Sequence, residues 1–278
     1  MESLDSAHFL SAFLLTLFAG LSTGIGAALA FFSKTDNTRF LSVGMGFSAG
    51  VMVYISFVEI LVKSKAAFVG SFGDIGAEAL TLLCFFGGFL LTFFIDRFIP
   101  DDVNPHELKA DGEFCELRPG FHGHHPATLK RTGIFTAIAI GIHNFPEGFA
   151  TFMAALETLS FGIPIALAIA IHNIPEGMAV SLPIYHATGN RRQAFYYAFS
   201  SGLAEPVGAL LGFFLLLPLM GSLTLGVTFG VVAGIMIYIS FDELLPAARV
   251  YGNAHTSIFG IMLGMAVMAG SLLLFKAW

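Results

Sequence analysis

The sequence predicts an all-α polytopic membrane protein. Eight transmembrane helices are expected, with helices 1–3 and 6–8 forming an inverted repeat around a central pair, helices 4 and 5. Three observations carry this reading. Of 278 residues, 56% are hydrophobic and 12% charged, with mean hydropathy +0.81, more apolar than a soluble domain at about 45–50%. Apolar runs long enough to cross a bilayer, about 20 residues each, recur along the whole chain. Finally, Gly50–Leu61 (GVMVYISFVEIL) returns as Gly234–Leu245 (GIMIYISFDELL), identical at eight of twelve positions at an offset of 184.

The spans are expected at about 8–32, 39–62, 77–99, 132–156, 161–182, 193–217, 223–248 and 256–275. The first is preceded by Glu2 and Asp5, with no Lys or Arg before Lys34. A cleavable signal needs a positive leading region, so this helix is expected to be retained. Spans 2 and 7 carry the repeated dodecapeptide and run in opposite directions, which makes the repeat inverted, a transporter signature. Gly46/Gly50 and Gly230/Gly234 stand at equivalent places as GxxxG pairs and would let helices approach closely. They leave a homodimer open, since the contacts could lie within or between chains. Glu59 and Glu243 are repeat-related, with Asp242 beside the second. They read equally as pathway or structural residues, and Lys63 at i+4 from Glu59 suggests an ion pair.

The chain is expected to form one transmembrane domain over 1–278. Its longest polar connection, about 97–131, holds His106, Cys115, His122, His124 and His125, a composition suited either to weak metal binding or to a solvated loop. The other cysteine, Cys84, falls in an apolar run, so no disulfide is expected. With the N-terminus outside, the inner connections hold ten Lys and Arg and the outer segments three. That bias puts both termini outside the cytoplasm of the cell (inner or plasma) membrane and the long loop inside it.

Spans 4 and 5 concentrate the chemistry. HNFPEG at His143–Gly148 and HNIPEG at His172–Gly177 lie 29 residues apart, each within an apolar run. A carboxylate at the bilayer centre costs about 2.5–3.5 kcal/mol and a mid-helix proline about 3 kcal/mol, so a doubled set points to a functional site. At about 100° per residue, Glu147 falls between His143 and Asn144 on the helix and can share a ligand with either. Pro146 removes the amide that would bond Ile142 C=O, and Pro175 does the same to Ile171, so both helices are expected to open there. Packed face to face, they would pool imidazoles, amides, carboxylates and loosened carbonyls into a divalent metal site with room for two ions. Glu205, followed by Pro206 in span 6, is expected as a ligand from another wall.

The tandem HNxPEG motifs, the span-6 glutamate, the eight spans and the histidine-containing loop resemble the ZIP (Zrt/Irt-like) metal transporters, and most closely a bacterial branch of them. The resemblance covers nearly the whole chain. It implies uptake of divalent metal into the cytoplasm, with zinc as reference substrate and iron, manganese, cobalt or cadmium as further cargo. It implies a binuclear centre: His143, Glu147, His172 and Glu176 at one site, and Asn144, Glu147, Asn173, Glu176 and Glu205 at its neighbour. The expected partners are the metal ions and the lipid bilayer, with no nucleic acid and no prosthetic group.

Imidazole, carboxylate and amide suit zinc, iron and manganese; without a thiolate, soft Cu(I) is disfavoured. A zincin-type protease would need HExxH, which is missing. A di-iron membrane enzyme would need more than the two histidines clearly at membrane depth. A channel or proton-coupled carrier for another divalent cation stays open, and is distinguished by whether flux saturates and whether protons move with it.

Overall fold

The computed structural model describes residues 6–30, 38–97, 126–216 and 221–276, and among these all regular structure is helical. The helices are α1 (Ser6–Ala30), α2 (Thr38–Ile55), α3 (Leu61–Arg97), α4 (Pro126–Glu157), α5 (Leu159–Thr188), α6 (Arg191–Gly202), α7 (Ala204–Leu216), α8 (Ser222–Ile239), α9 (Leu245–Tyr251) and α10 (Ala254–Lys276). A π-helical turn at Ser56–Ile60 joins α2 to α3, and another at Ser240–Leu244 joins α8 to α9.

Six stretches among the described residues are long and apolar enough to cross a membrane. One of them, Ser42–Arg97, has 56 residues. As a straight helix it would reach about 84 Å, far beyond a hydrocarbon core of about 30 Å. It is not straight: Gly73 adopts φ 67°, ψ 177°, a region open essentially to glycine alone. Lys65 reaches across that corner to Asp74 at 3.4 Å and Glu78 at 2.8 Å.

The helices sort by packing. α1, α4, α5, α6 and α7 pack on one another, while α3 lies along α8 and α2 along α10; α2 also touches α5, which joins the two groups. The largest buried apolar cluster runs from Ile55, Met52 and Val51 on α2 to Phe229, Val232 and Met236 on α8, and reaches Ile165 and Ile169 on α5. Leu83, Phe86, Phe214, Leu215, Met262 and Leu273 are exposed, which in a bilayer places them against lipid. The glycines of the GxxxG pairs serve close approach, as expected. A Cβ at Gly50 would overlap the Ile261 carbonyl of α10, and one at Gly234 the Phe85 carbonyl of α3.

Three expectations are corrected. α4 and α5 run on through their prolines as continuous helices, so the lost hydrogen bonds do not break them. Span 6 carries a one-residue irregularity at Leu203, between α6 and α7, where the backbone stays in the helical region (φ −69°, ψ −11°). The long connection ends sooner than expected, because α4 already begins at Pro126; His106, Cys115, His122, His124 and His125 lie outside the described residues. Lys63 does not serve Glu59: its Nζ sits 4.0 Å from the Phe161 ring centroid, a cation–π contact.

Candidate metal centre

α4 and α5 are joined through the single residue Thr158. Its side chain caps α5 by accepting from Phe161 N at 3.2 Å, which satisfies an orphan amide of the first turn. At the other end, Gly189 in the left-handed conformation (φ 63°) closes α5 with its N–H on Tyr185 O at 2.8 Å, as helix C-caps commonly do. Asn190 then caps α6, its Oδ1 accepting from Gln193 N at 3.1 Å. These short connections hold α4, α5 and α6 as antiparallel neighbours, so the two hexapeptides lie side by side.

Glu205 reaches the same region by a different route. It lies in the first turn of α7, just past the one-residue irregularity at Leu203. The final glycine of each hexapeptide sets the helix spacing. A Cβ at Gly148 would overlap the backbone of Glu205 on α7, and a Cβ at Gly177 would overlap the Thr23 carbonyl on α1.

The side chains of Asn144, Glu147, Asn173, Glu176 and Glu205 are all completely buried. Asn144 Nδ2 donates to Ser201 O at 3.3 Å. Asn173 Nδ2 donates to Ala19 O at 2.9 Å and also to Glu205 Oε1. Both amides are thus turned with their NH₂ groups held by backbone and their oxygens left over. Glu147 and Glu176 lie close enough to Glu205 to repel its charge. These three glutamates are the buried charged side chains among the described residues, and no buried Lys or Arg among those residues balances them.

Asn144 Oδ1, Asn173 Oδ1, Glu205 Oε2 and Thr23 Oγ1 are buried without a hydrogen-bond partner among the described residues. An unsatisfied buried acceptor costs about 1–3 kcal/mol, and several gathered beside three carboxylates are the environment a hard or borderline cation satisfies. Among the described residues no three His, Cys, Asp or Glu side chains are drawn together closely enough to chelate an ion by themselves. The imidazoles of His143 and His172, and the carboxylate of Glu243, lie outside the described side chains. Asp242 is half-buried and sits beside Tyr238, away from the hexapeptides on the chain; Tyr238 OH also donates to Asp96 at 3.3 Å.

Sequence reasoning missed Thr23 and the role of the two motif glycines. A signal existed: Ala19–Ala27 (AGLSTGIGA) aligns with Ser201–Ala209 (SGLAEPVGA) at an offset of 182, with Thr23 opposite Glu205.

A chain whose described regular structure is all helical, with six stretches long and apolar enough to cross a bilayer around a buried, anionic, oxygen-lined centre, is of the polytopic helical membrane class. The comparisons narrow that class. The profile of the ZIP zinc transporter family matches residues 102–272. A zinc transporter ZupT of Campylobacter jejuni is 57% identical over 276 residues, covering 94% of this chain and 95% of its own. Proteins of the same name from Streptococcus mutans (54%, covering 97% and 99%) and Clostridium perfringens (51%, covering 96% and 97%) are similar throughout. The chain belongs to the ZIP zinc transporter family, a family of multi-pass membrane transporters and not of enzymes.

Proposed function

We propose that this protein carries divalent metal, with zinc as principal cargo, across the cell membrane into the cytoplasm through a centre built on the doubled hexapeptide. The observation that carries the proposal is the set of buried, unsatisfied oxygens of Asn144, Asn173 and Glu205 beside three buried carboxylates. The family and its similar zinc transporters supply zinc. The ligand chemistry also admits iron, manganese, cobalt and cadmium. The centre holds two ions. His143, Glu147, His172 and Glu176 surround one; Asn144, Glu147, Asn173, Glu176 and Glu205 surround the other; the two motif glutamates bridge.

The chain forms one transmembrane unit of eight spans. Supporting this count, Ser42–Arg97 divides at Gly73 and α4 adds a further helix of 32 residues. The halves are related by an inverted repeat. The two π turns stand 184 residues apart, the offset of the repeated dodecapeptide. Ser56 donates to Met236 Sδ at 3.7 Å, and Ser240 donates to Met52 Sδ at 3.6 Å, the same contact made once in each sense. Both termini face outside, on the strength of the Lys and Arg asymmetry.

Radiolabelled zinc uptake into proteoliposomes tests the function. Saturable uptake by the wild-type protein, lost in Glu176→Ala, is expected. Equal uptake by both proteins would remove the hexapeptides from the metal path.

A further inference from the structure

The contacts around the centre come in matched pairs. Asn144 Nδ2 donates to Ser201 O, and Asn173 Nδ2 donates to Ala19 O. The two asparagines are 29 residues apart and the two acceptors 182. A Cβ at Gly208 would overlap Phe145 O, and one at Gly26 would overlap Ile174 O, again at offsets of 182 and 29. Gly148 abuts Glu205 as Gly177 abuts Thr23. Gly20 and Gly202 face one another, each against the other's carbonyl, as two residues beside a two-fold axis would. One rotation relates all of these, and it places Thr23 of α1 where Glu205 stands on α7.

We propose that Thr23 is a further ligand-bearing residue of the centre, its hydroxyl occupying on the α1 side the place that the Glu205 carboxylate occupies on the α7 side. This rests on the metal-transport reading given above. Thr23 is completely buried, and Oγ1 has no hydrogen-bond partner among the described residues. Buried helical threonines ordinarily return their hydroxyl to the carbonyl four residues back. Thr16 does so to Ala12 O at 3.2 Å, Thr151 to Glu147 O at 2.9 Å and Thr188 to Ile184 O at 2.7 Å. For Thr23 that carbonyl is Ala19 O, which instead accepts Ser22 Oγ at 2.6 Å and Asn173 Nδ2 at 2.9 Å. The hydroxyl faces Gly202 on α6, where an added Cβ would lie 2.7 Å from Oγ1, one turn before Glu205. The Thr23 backbone lies against Gly177, the residue after Glu176. A neutral oxygen here also fixes the balance of the centre. The buried carboxylates stay at Glu147, Glu176 and Glu205, where a second acidic residue opposite Glu205 would hold a divalent ion more firmly and release it less readily.

Four variants in the proteoliposome assay test this. Thr23→Val keeps the shape and removes the oxygen; the zinc concentration for half-maximal uptake should rise roughly tenfold or more. Thr23→Ser should restore the wild-type value. Thr23→Cys replaces a hard oxygen by a soft sulfur and should shift competition toward cadmium over zinc by a similar factor, a readout that a packing role would not move. Glu176→Ala is the control for the parent reading. If Glu176→Ala abolishes uptake while Thr23→Val is unchanged or Thr23→Cys keeps the wild-type cadmium-to-zinc ratio, Thr23 is not a ligand and the parent reading stands. If Glu176→Ala transports normally, the parent reading fails and this one with it. Should Thr23→Val not fold, the Thr23→Cys competition decides alone.

Discussion

Asn144 and Asn173 each spend their amide hydrogens on a backbone carbonyl of a neighbouring helix and keep an oxygen in reserve. In the proposed centre that division is useful: the donor end fixes the side chain and the acceptor end is left for an ion. Protons and metal compete for the carboxylates beside them. Uptake should therefore fall as the outer solution goes from about pH 8 to about pH 5.5. A rate flat across that range would count against this competition. The motif glycines are positioned as strictly as the buried polar side chains beside them. Gly148→Ala would drive a methyl into the Glu205 backbone, costing about 1–3 kcal/mol and lowering the melting temperature of the purified protein. Gly87→Ala, with no heavy atom near the added Cβ, should melt as the wild type does. The hexapeptides were legible from sequence because ionisable residues in apolar runs stand out. Thr23 was not, because a threonine in a helix is ordinary until its hydroxyl is seen to lack its usual carbonyl.

At the scale of the helix, the sequence located the apolar segments to within a few residues, while misplacing the breaks. Pro146 and Pro175 each remove one hydrogen bond, but α4 and α5 are packed against α1, α7 and each other, and that packing holds them continuous. Pro206 follows a one-residue irregularity at Leu203, where α6 gives way to α7 with the backbone still in the helical region and Val207 N–H still bonded to Leu203 O at 3.4 Å. Gly73 was passed over, since glycine is common here (31 residues) and nothing local marks the one that turns a corner. Its backbone predicts a test. Gly73→Ala must hold an L-residue at φ 67°, ψ 177°, at a cost of about 1–3 kcal/mol. It should melt earlier than the wild type, whereas Gly70→Ala, inside the helix with open space around it, should not.

At the scale of the molecule, the two hexapeptides matter because two antiparallel helices bring them together and α1 and α7 close the sides. The repeat offset of 184 was visible in spans 2 and 7, where a dozen residues preserve it. In spans 1 and 6 the offset is 182, with Thr-Gly opposite Glu-Pro, so the correspondence there is carried by matched backbone contacts and not by the sequence. The central claim is that both motif copies serve one centre. The most direct test is a double-mutant cycle on initial zinc uptake with Glu147→Gln, Glu176→Gln and the two together. Residues acting as a unit are non-additive, so each single variant should lose nearly as much activity as the pair. Wild-type uptake by either single variant, or losses that multiply independently in the pair, would contradict a shared centre.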